Sequence, residues 1–356
     1  MLRRLCDGTV NVATNLRTGA PDGTLVFQPP GEALFGRVRD RARVERRVAV
    51  PAGATVRAGV IANARSHRNR DGVRSEMWPD VLYASPRTQE ALVDTLRDYA
   101  AQGINLLVVD GGDGTVRDVI TAAGEIFATM PRFAVVPSGK TNALALDLGI
   151  AAGWDTRAAV AAARAGRFES RSPIEITRRG STAPDLRGFL FGAGRFVAAT
   201  ELAQRTHKAG AFSGVAVALS LGWSICQTLF GSAANEWKTG EPMRIRKEGG
   251  EPIDCSLYLL LASTLERMPL GLKPFGRVRR GLKVLAIDAP PRWIVATLLP
   301  LLAGSERSWL SSAGYHRADP GRFDISTANG FILDGEHYAG GEFEVRTGEP
   351  LHFAVP

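Results

Sequence analysis

Residues 104–130 read INLLVVDGGDGTVRDVITAAGEIFATM. The run from Ile104 to Asp110 is apolar without alternation, the character of a strand buried on both faces. Residues 116–130 read as the helix that follows it. Between them stands Gly111-Gly112-Asp113-Gly114-Thr115. Glycines at such a junction let the backbone approach a ligand closely and adopt positive φ. The helix start beyond them offers unpaired N–H groups and the positive end of a dipole, which suits phosphate. A carboxylate there opposes an anion, so Asp113 makes sense as a holder of Mg²⁺ or of water around a metal–nucleotide complex. The plain alternative is a glycine-rich turn with a solvated Asp113.

Upstream, AGVIAN (58–63) reads as a short buried strand that ends in the polar loop ARSHRNRDG. Thr88 to Gln102 carries Leu92, Leu96 and Tyr99 at helical spacing, and Gly103 suits its stop. Downstream, RFAVVP (132–137) is another strand, SGKT a tight loop, and NALALDLG (142–149) the opening of a helix. Alternating strands and helices imply a parallel sheet. After about Phe168 the pattern changes to short strand-like runs between turn residues: PIEITRRG, LRGFLFGAG, PMRIRKEG, CSLYLLLAST, LKVLAID, RFDIST and EFEVRTG. A helical stretch over 201–230 interrupts them. The expected fold class is α/β plus all-β: a Rossmann-like α/β nucleotide-binding domain followed by an antiparallel β-sandwich-like domain. The expected boundaries are a poorly ordered basic extension at 1–55, the α/β domain at 56–168 completed by 338–356, and the β-rich domain at 169–337.

Composition narrows the function classes. Of the 356 residues, 45% are hydrophobic and 22% charged, enough to build a sizeable globular core. The formal charge of +8 would suggest nucleic acid, but the first 57 residues hold ten Arg against five acids. The rest of the chain is therefore nearly balanced. Nucleic acid is not expected, and the basic arm reads as a solvated face or a contact for an anionic membrane surface. Cys6, Cys226 and Cys255 form no CxxC pair, which fits a reducing cytoplasm better than disulfides or zinc. The start MLRRLCDGTV does not read as a secretory signal. Ala209 to Asn235 is uncharged, but glycines, serines, Gln227 and Asn235 dilute it. A buried helix, or one touching a lipid surface, is expected there rather than a membrane span. The five His lack metal-ligand spacing, and no G-x-S-x-G elbow exists. Trp223, Phe230, Trp293 and Trp309 read as core packing, with an acyl-chain pocket or bilayer contact as the minor reading.

The loop Ser138-Gly139-Lys140-Thr141 invites comparison with a P-loop. The pattern G-x-x-x-x-G-K-T puts its first glycine at 134, where this chain has Ala134 inside an expected strand. A Walker-type NTPase is therefore the alternative rather than the first reading. Lys140 can still reach a phosphate as a point charge.

GGDGT followed by P-x-G-x-x-N-x-L-A (Pro137, Gly139, Asn142, Leu144, Ala145) resembles the diacylglycerol kinase catalytic-domain family, which includes sphingosine kinases and bacterial lipid kinases. IANARS (61–66) is similar to that family's first nucleotide loop, and Leu333-Asp334-Gly335-Glu336 to its DGE element. The closing EFEVRTGEPLHFAVP resembles its final strands. The resemblance covers roughly residues 58–356.

It implies an ATP-dependent kinase that uses Mg²⁺ and phosphorylates a lipid hydroxyl, a cytoplasmic protein peripherally associated with membrane. Asn63, Arg65 and Ser66 would line the nucleotide, Gly111, Gly112, Asp113, Gly114 and Thr115 would form the phosphate loop, and Gly139, Lys140, Thr141 and Asn142 the opposite wall. Glu336 would be the general base on the acceptor hydroxyl, with Asp113 beside the metal. The bland reading of Glu336 is a hairpin-turn carboxylate. Lys140 stands where the family usually has Thr or Ser, Ala64 and His67 replace a Pro and a Gly, and Ala143 replaces a common Asp. Arg280 stands where many bacterial relatives hold a structural Mg²⁺ through Asp, so that site is expected to be absent. An NAD-kinase-type enzyme also uses GGDGT, but Asn235-Glu236 lies too far downstream for its usual element. A non-catalytic lipid- or nucleotide-binding relative is the third class, and homodimerisation is left open.

Overall fold

The computed structural model describes residues 55–66, 80–151, 153–194, 240–277 and 281–356. The expectations for the basic extension over 1–54, the uncharged stretch 209–235, the helical stretch 201–230, Asn235-Glu236, His67 and Arg280 lie outside the described residues.

The first layer is a six-stranded sheet. Its strands are β1 (Ala58–Ala62), β2 (Val81–Ala84), β3 (Leu106–Gly111), β4 (Arg132–Pro137), β5 (Phe168–Arg171) and a late strand, β17 (Leu351–Ala354). Their order is β2-β1-β3-β4-β17-β5, parallel except for the β17–β5 pair. Helices α1 (Gln89–Ala101), α2 (Asp113–Ile126), the single turn α3 (Ala143–Asp147) and α4 (Thr156–Arg164) cover it. Leu107 and Val109 of β3 face the cluster that holds Leu92, Leu96, Val119 and Ile120, whereas Leu106 and Val108 face Val160 and Ala163. That two-sided burial is why β3 reads as an unbroken apolar run. Thr88 caps α1 by accepting the Ala91 N–H at 3.2 Å, and Gly103 supplies the left-handed turn that ends it (φ +68°). The second helix starts three residues earlier than its sequence suggests. Gly112 is its N-cap, so Asp113, Gly114 and Thr115 form its first turn.

The second layer is an antiparallel sheet of eleven strands. It contains β6 (Ile174–Arg178), β7 (Leu186–Gly188), β8 (Leu190–Gly194), β9 (Glu241–Lys247), β10 (Ile253–Ser263), β11 (Lys283–Asp288), β12 (Tyr315–Ala318), β13 (Arg322–Thr327), β14 (Phe331–Leu333), β15 (Glu336–Tyr338) and β16 (Gly341–Thr347). The long β10 carries the curl. Its first half pairs with β9 and its second with β8 and β11, with a register shift between Leu257 and Leu259. Ile176, Phe191, Leu260, Phe331, Phe343 and Val345 fill the inside of the curl. The other side of β10 and β11 is covered by α5 (Ile294–Leu302) and α6 (Ser308–Ser312) through Leu285, Ile287, Leu301 and Leu310.

This is the α/β layer followed by an antiparallel β layer that the sequence indicates. Of the last twenty residues, β16 lies in the second sheet and only β17 enters the first. Among the described residues no helix is long and apolar enough to cross a membrane.

Candidate active site

In the first sheet β1 has β2 on one side and β3 on the other, so the chain reverses its winding between β1 and β3. Ligands of open α/β sheets bind outside the carboxyl ends of the strands at such a point. Three loops leave β1, β3 and β4 there, and they contain the three motifs.

The loops are tied together by a few specific contacts. Asn63 donates from Nδ2 to Thr115 Oγ1 at 2.9 Å, and its Oδ1 accepts the Arg65 N–H at 2.9 Å. It thereby fixes the first loop to the opening turn of α2. Asn142 closes the third loop on itself: its Oδ1 accepts the Gly139 N–H and its Nδ2 donates to the Gly139 carbonyl, both at 2.9 Å. Its own backbone is left-handed (φ 51°, ψ 48°), which Asn tolerates better than most residues. The second and third loops touch backbone to backbone. A Cβ on Gly139 would lie 2.4 Å from Gly112 Cα, so the position has no room for a side chain.

Asp113 joins the same two loops. Its Oδ1 accepts the Leu144 N–H at 3.2 Å, at the start of α3. Burial pushes its carboxyl above the ordinary value, against amide N–H groups around Ala143 and Leu144 that pull it down. The carboxylate expected to face a metal is thus engaged with a helix start.

A cleft of about 350 Å³ opens over these loops, lined by Asn63, Arg65, Ser66, Gly112, Gly114, Thr115, Gly139, Lys140 and Glu336, together with Arg117 and Asp118. Gly111, Asp113, Thr141 and Asn142 are not part of that lining. Gly111 is buried at the end of β3, where a Cβ would meet Thr115 at 2.5 Å. The N-cap of α2 is Gly112, which has no side chain to bond the first amides of the helix. With Arg65, Arg117 and Lys140 around it, the helix start makes the floor of the cleft attractive to phosphate. Ala134 lies buried inside β4, so the third loop is too short to wrap a phosphate as a Walker loop does.

Glu336 arrives from the second sheet. The hairpin β14–β15 pairs Leu333 with Glu336, and Asp334 and Gly335 form its two-residue turn with φ of 45° and 84°. Positive φ at both turn residues is the geometry Asp-Gly favours. The turn is held against β8, where Asp334 accepts the N–H groups of Phe189 (3.0 Å) and Leu190 (2.9 Å). Burial raises the Asp334 carboxyl to about 7, with the charge of Asp113 adding to the rise and the two amides and Arg117 opposing it.

Arg117 couples the hairpin to the glycine loop. It lies one turn into α2, binds Asp118 through Nη2 at 2.8 Å, and donates from Nη1 to the Leu333 carbonyl at 3.1 Å. Its guanidinium also lies 5.7 Å from the centre of the Tyr338 ring. Sequence reading did not single out Arg117, Asp118 or the Asp334 carboxyl. The available signal was an arginine in a helix face with Thr121 and Gly124, spaced at i, i+4 and i+7.

Residues 59–176 match a family model described as diacylglycerol kinase catalytic domain. The matched stretch is about a third of the 356 residues. It runs from β1 to β6 and includes all three loops, whereas Glu336 lies beyond it. Among solved structures, a protein described as a diacylglycerol kinase of Bacillus anthracis str. Sterne superposes with a TM-score of 0.55 at 12% identity. Two candidate diacylglycerol kinases of the same organism superpose with TM-scores of 0.60 and 0.57, each at 14% identity. Each match covers 84% of this chain and 97% of the other. At such identity the likeness is one of fold. No curated protein matches the chain.

Proposed function

We propose that the protein is an ATP-dependent lipid kinase that transfers the γ-phosphoryl group to a lipid hydroxyl. The observation that carries this reading is the presence of Glu336, from the second sheet, in the same cleft as Gly112, Gly114 and Gly139. A site that only bound nucleotide would have no use for a carboxylate facing its phosphate loop, since it repels the ligand.

The family implies ATP, and the cleft suits it. The phosphates rest against the first amides of α2, with Arg65 and Lys140 beside them. Phosphoryl transfer asks the protein for positioning and charge stabilisation more than for covalent chemistry. Glu336 takes the proton of the acceptor hydroxyl as that oxygen bonds to the γ-phosphorus. The bond from phosphorus to the bridging oxygen breaks, and ADP leaves.

Among the described residues no three acidic, His or Cys side chains gather to hold a metal. Asp118 in the cleft would help hold a magnesium ion that arrives with the nucleotide, whose phosphates would supply most of its oxygen ligands, while Glu336 stays free for the acceptor hydroxyl. Asp113 then serves chiefly as a positioning residue, because its bond to Leu144 holds the two loops in contact.

The test is transfer of radiolabelled γ-phosphate from ATP to a panel of lipids in mixed micelles with Mg²⁺. The panel comprises diacylglycerol, monoacylglycerol, a long-chain base, ceramide and phosphatidylglycerol. A labelled lipid supports the reading and names the acceptor class. ATP binding without any labelled lipid would favour a binding-only relative.

A further inference from the structure

The outward side of α5 is unlike that of an ordinary surface helix. Its exposed positions are Val295, Ala296 and Leu299, followed by Ala303 at the C-cap, with no polar side chain among them. Val295 is 61% exposed and Leu299 75%, so neither contributes to the core beneath, which Thr297 and Leu301 reach instead. By contrast α1 turns Gln89, Glu90, Asp94, Arg97 and Asp98 outward. Trp293, at the start of α5, is 69% exposed, and Leu270, on the loop beside the other end of the helix, is 63% exposed. That loop is fixed to the helix by Lys273 N–H donating to the Leu302 carbonyl at 2.7 Å. Leaving these apolar side chains in water forgoes the gain that burial would bring.

Two further features mark the patch. Trp293 (φ 49°) and Leu270 (φ 59°) are two of the four non-glycine residues with positive φ among the described residues, and the other two, Asn142 and Asp334, frame the cleft. Left-handed backbone at bulky residues is unfavourable and persists at sites where presentation of the side chain matters. The rim is cationic: Lys273 and Arg292 are exposed at the two ends of the helix. The nearest acids are engaged, Glu266 with Arg171, Asp288 with His316 and Glu306 with Arg277.

We propose that this face, α5 with Trp293, Leu270 and the basic rim, is where the protein docks on an anionic lipid bilayer. The helix lies in the plane of the interface. With nine residues it is about 14 Å long, less than half the hydrocarbon thickness, so it dips into the surface and does not span it. Apolar side chains enter the headgroup boundary while Lys273 and Arg292 meet lipid phosphates. The inference rests on the lipid-acceptor reading, since an acceptor anchored in a membrane must be met at its surface.

The experiment is co-sedimentation of the full chain with phosphatidylcholine vesicles, with and without phosphatidylglycerol. It compares wild type with Val295→Ser/Leu299→Ser and with Lys273→Gln/Arg292→Gln. The apolar double variant should bind anionic vesicles about tenfold or more weakly, at low and high salt alike. The charge variant should lose only the salt-sensitive part. Unaltered vesicle binding by the apolar variant, with an unfolding midpoint like wild type, would overturn the proposal. So would a concentration-dependent dimer of the wild type that the variant lacks while vesicle binding persists, because the face would then cover a second copy of the chain. Phosphorylation of a short-chain, water-soluble diacylglycerol should be equal in wild type and variant. If neither phosphorylates it yet binding follows the pattern above, the docking surface stands and the kinase reading falls.

Discussion

A methyl group on Gly139 would lie 2.4 Å from Gly112 Cα, and a backbone atom cannot turn aside as a side-chain tip can. Gly139→Ala should therefore part the second and third loops, lower stability by about 1–3 kcal/mol and abolish ATP binding, as read by calorimetric titration. ATP binding like wild type would show that the contact is not needed. Asp334 supplies a pH signature. Its native carboxyl, at about 7, lies above the unfolded value, so between about pH 4 and pH 7 the native state holds a proton that the unfolded chain has released. Native stability contributed by this group therefore falls as pH rises through that window and is level above it. Asp334→Asn should gain on wild type in denaturant unfolding across the same window. A stability difference independent of pH would contradict the buried, shifted carboxyl. The glycines and Asn142 were legible in sequence because backbone proximity and left-handed φ demand particular residue types. The Asp334 shift was not, because it arises from burial beneath β8 and the nearness of Asp113.

The helix α2 shows what element-scale reading can and cannot reach. Its apolar residues Val116, Val119, Ile120 and Ala123 pack into the first sheet's core, as the sequence pattern indicates. A second face, Arg117, Thr121 and Gly124, meets the other layer. Thr121 Oγ1 accepts the Arg187 N–H of β7 at 2.9 Å, and a Cβ on Gly124 would crowd the Arg187 guanidinium at 2.1 Å. That face looks polar and exposed in sequence because its partners lie far along the chain; the Leu333 carbonyl is 216 residues from Arg117. Removing Arg117 should free the DGE hairpin from the glycine loop. Arg117→Met is expected to cost about 1–3 kcal/mol in unfolding free energy and to lower phosphoryl transfer far more than ATP affinity. Equal losses in both would mean that Arg117 serves the nucleotide alone. Pattern placed β17 in the first sheet but did not separate it from β16, whose alternating residues pair in the second sheet instead.

At the scale of the whole molecule, a few buried contacts bind the two layers. Asp147 of α3 is fully buried, pairs with Arg171 of β5 at 2.7 Å, and accepts the Arg267 N–H from the loop after β10. Burial raises its carboxyl while Arg171 opposes the rise. Asp147→Ala strands Arg171 with partners only at the rim and is expected to cost about 3–5 kcal/mol. A thermal midpoint close to wild type would show that the layers are held elsewhere. β17 crosses from the second sheet to sit between β4 and β5, burying Phe353 against Phe133 and Phe189. Deleting residues 351–356 removes an internal strand and should leave no cooperative unfolding transition. Both layers must therefore be complete before Glu336 can face the glycine loop. Glu336→Gln tests that juxtaposition most directly, because Glu336 is exposed at a strand start and the change preserves its size. ATP affinity and unfolding midpoint should match wild type while γ-phosphate transfer to lipid falls by about 100-fold or more. Transfer at the wild-type rate in this variant would contradict the assignment of Glu336 as the base.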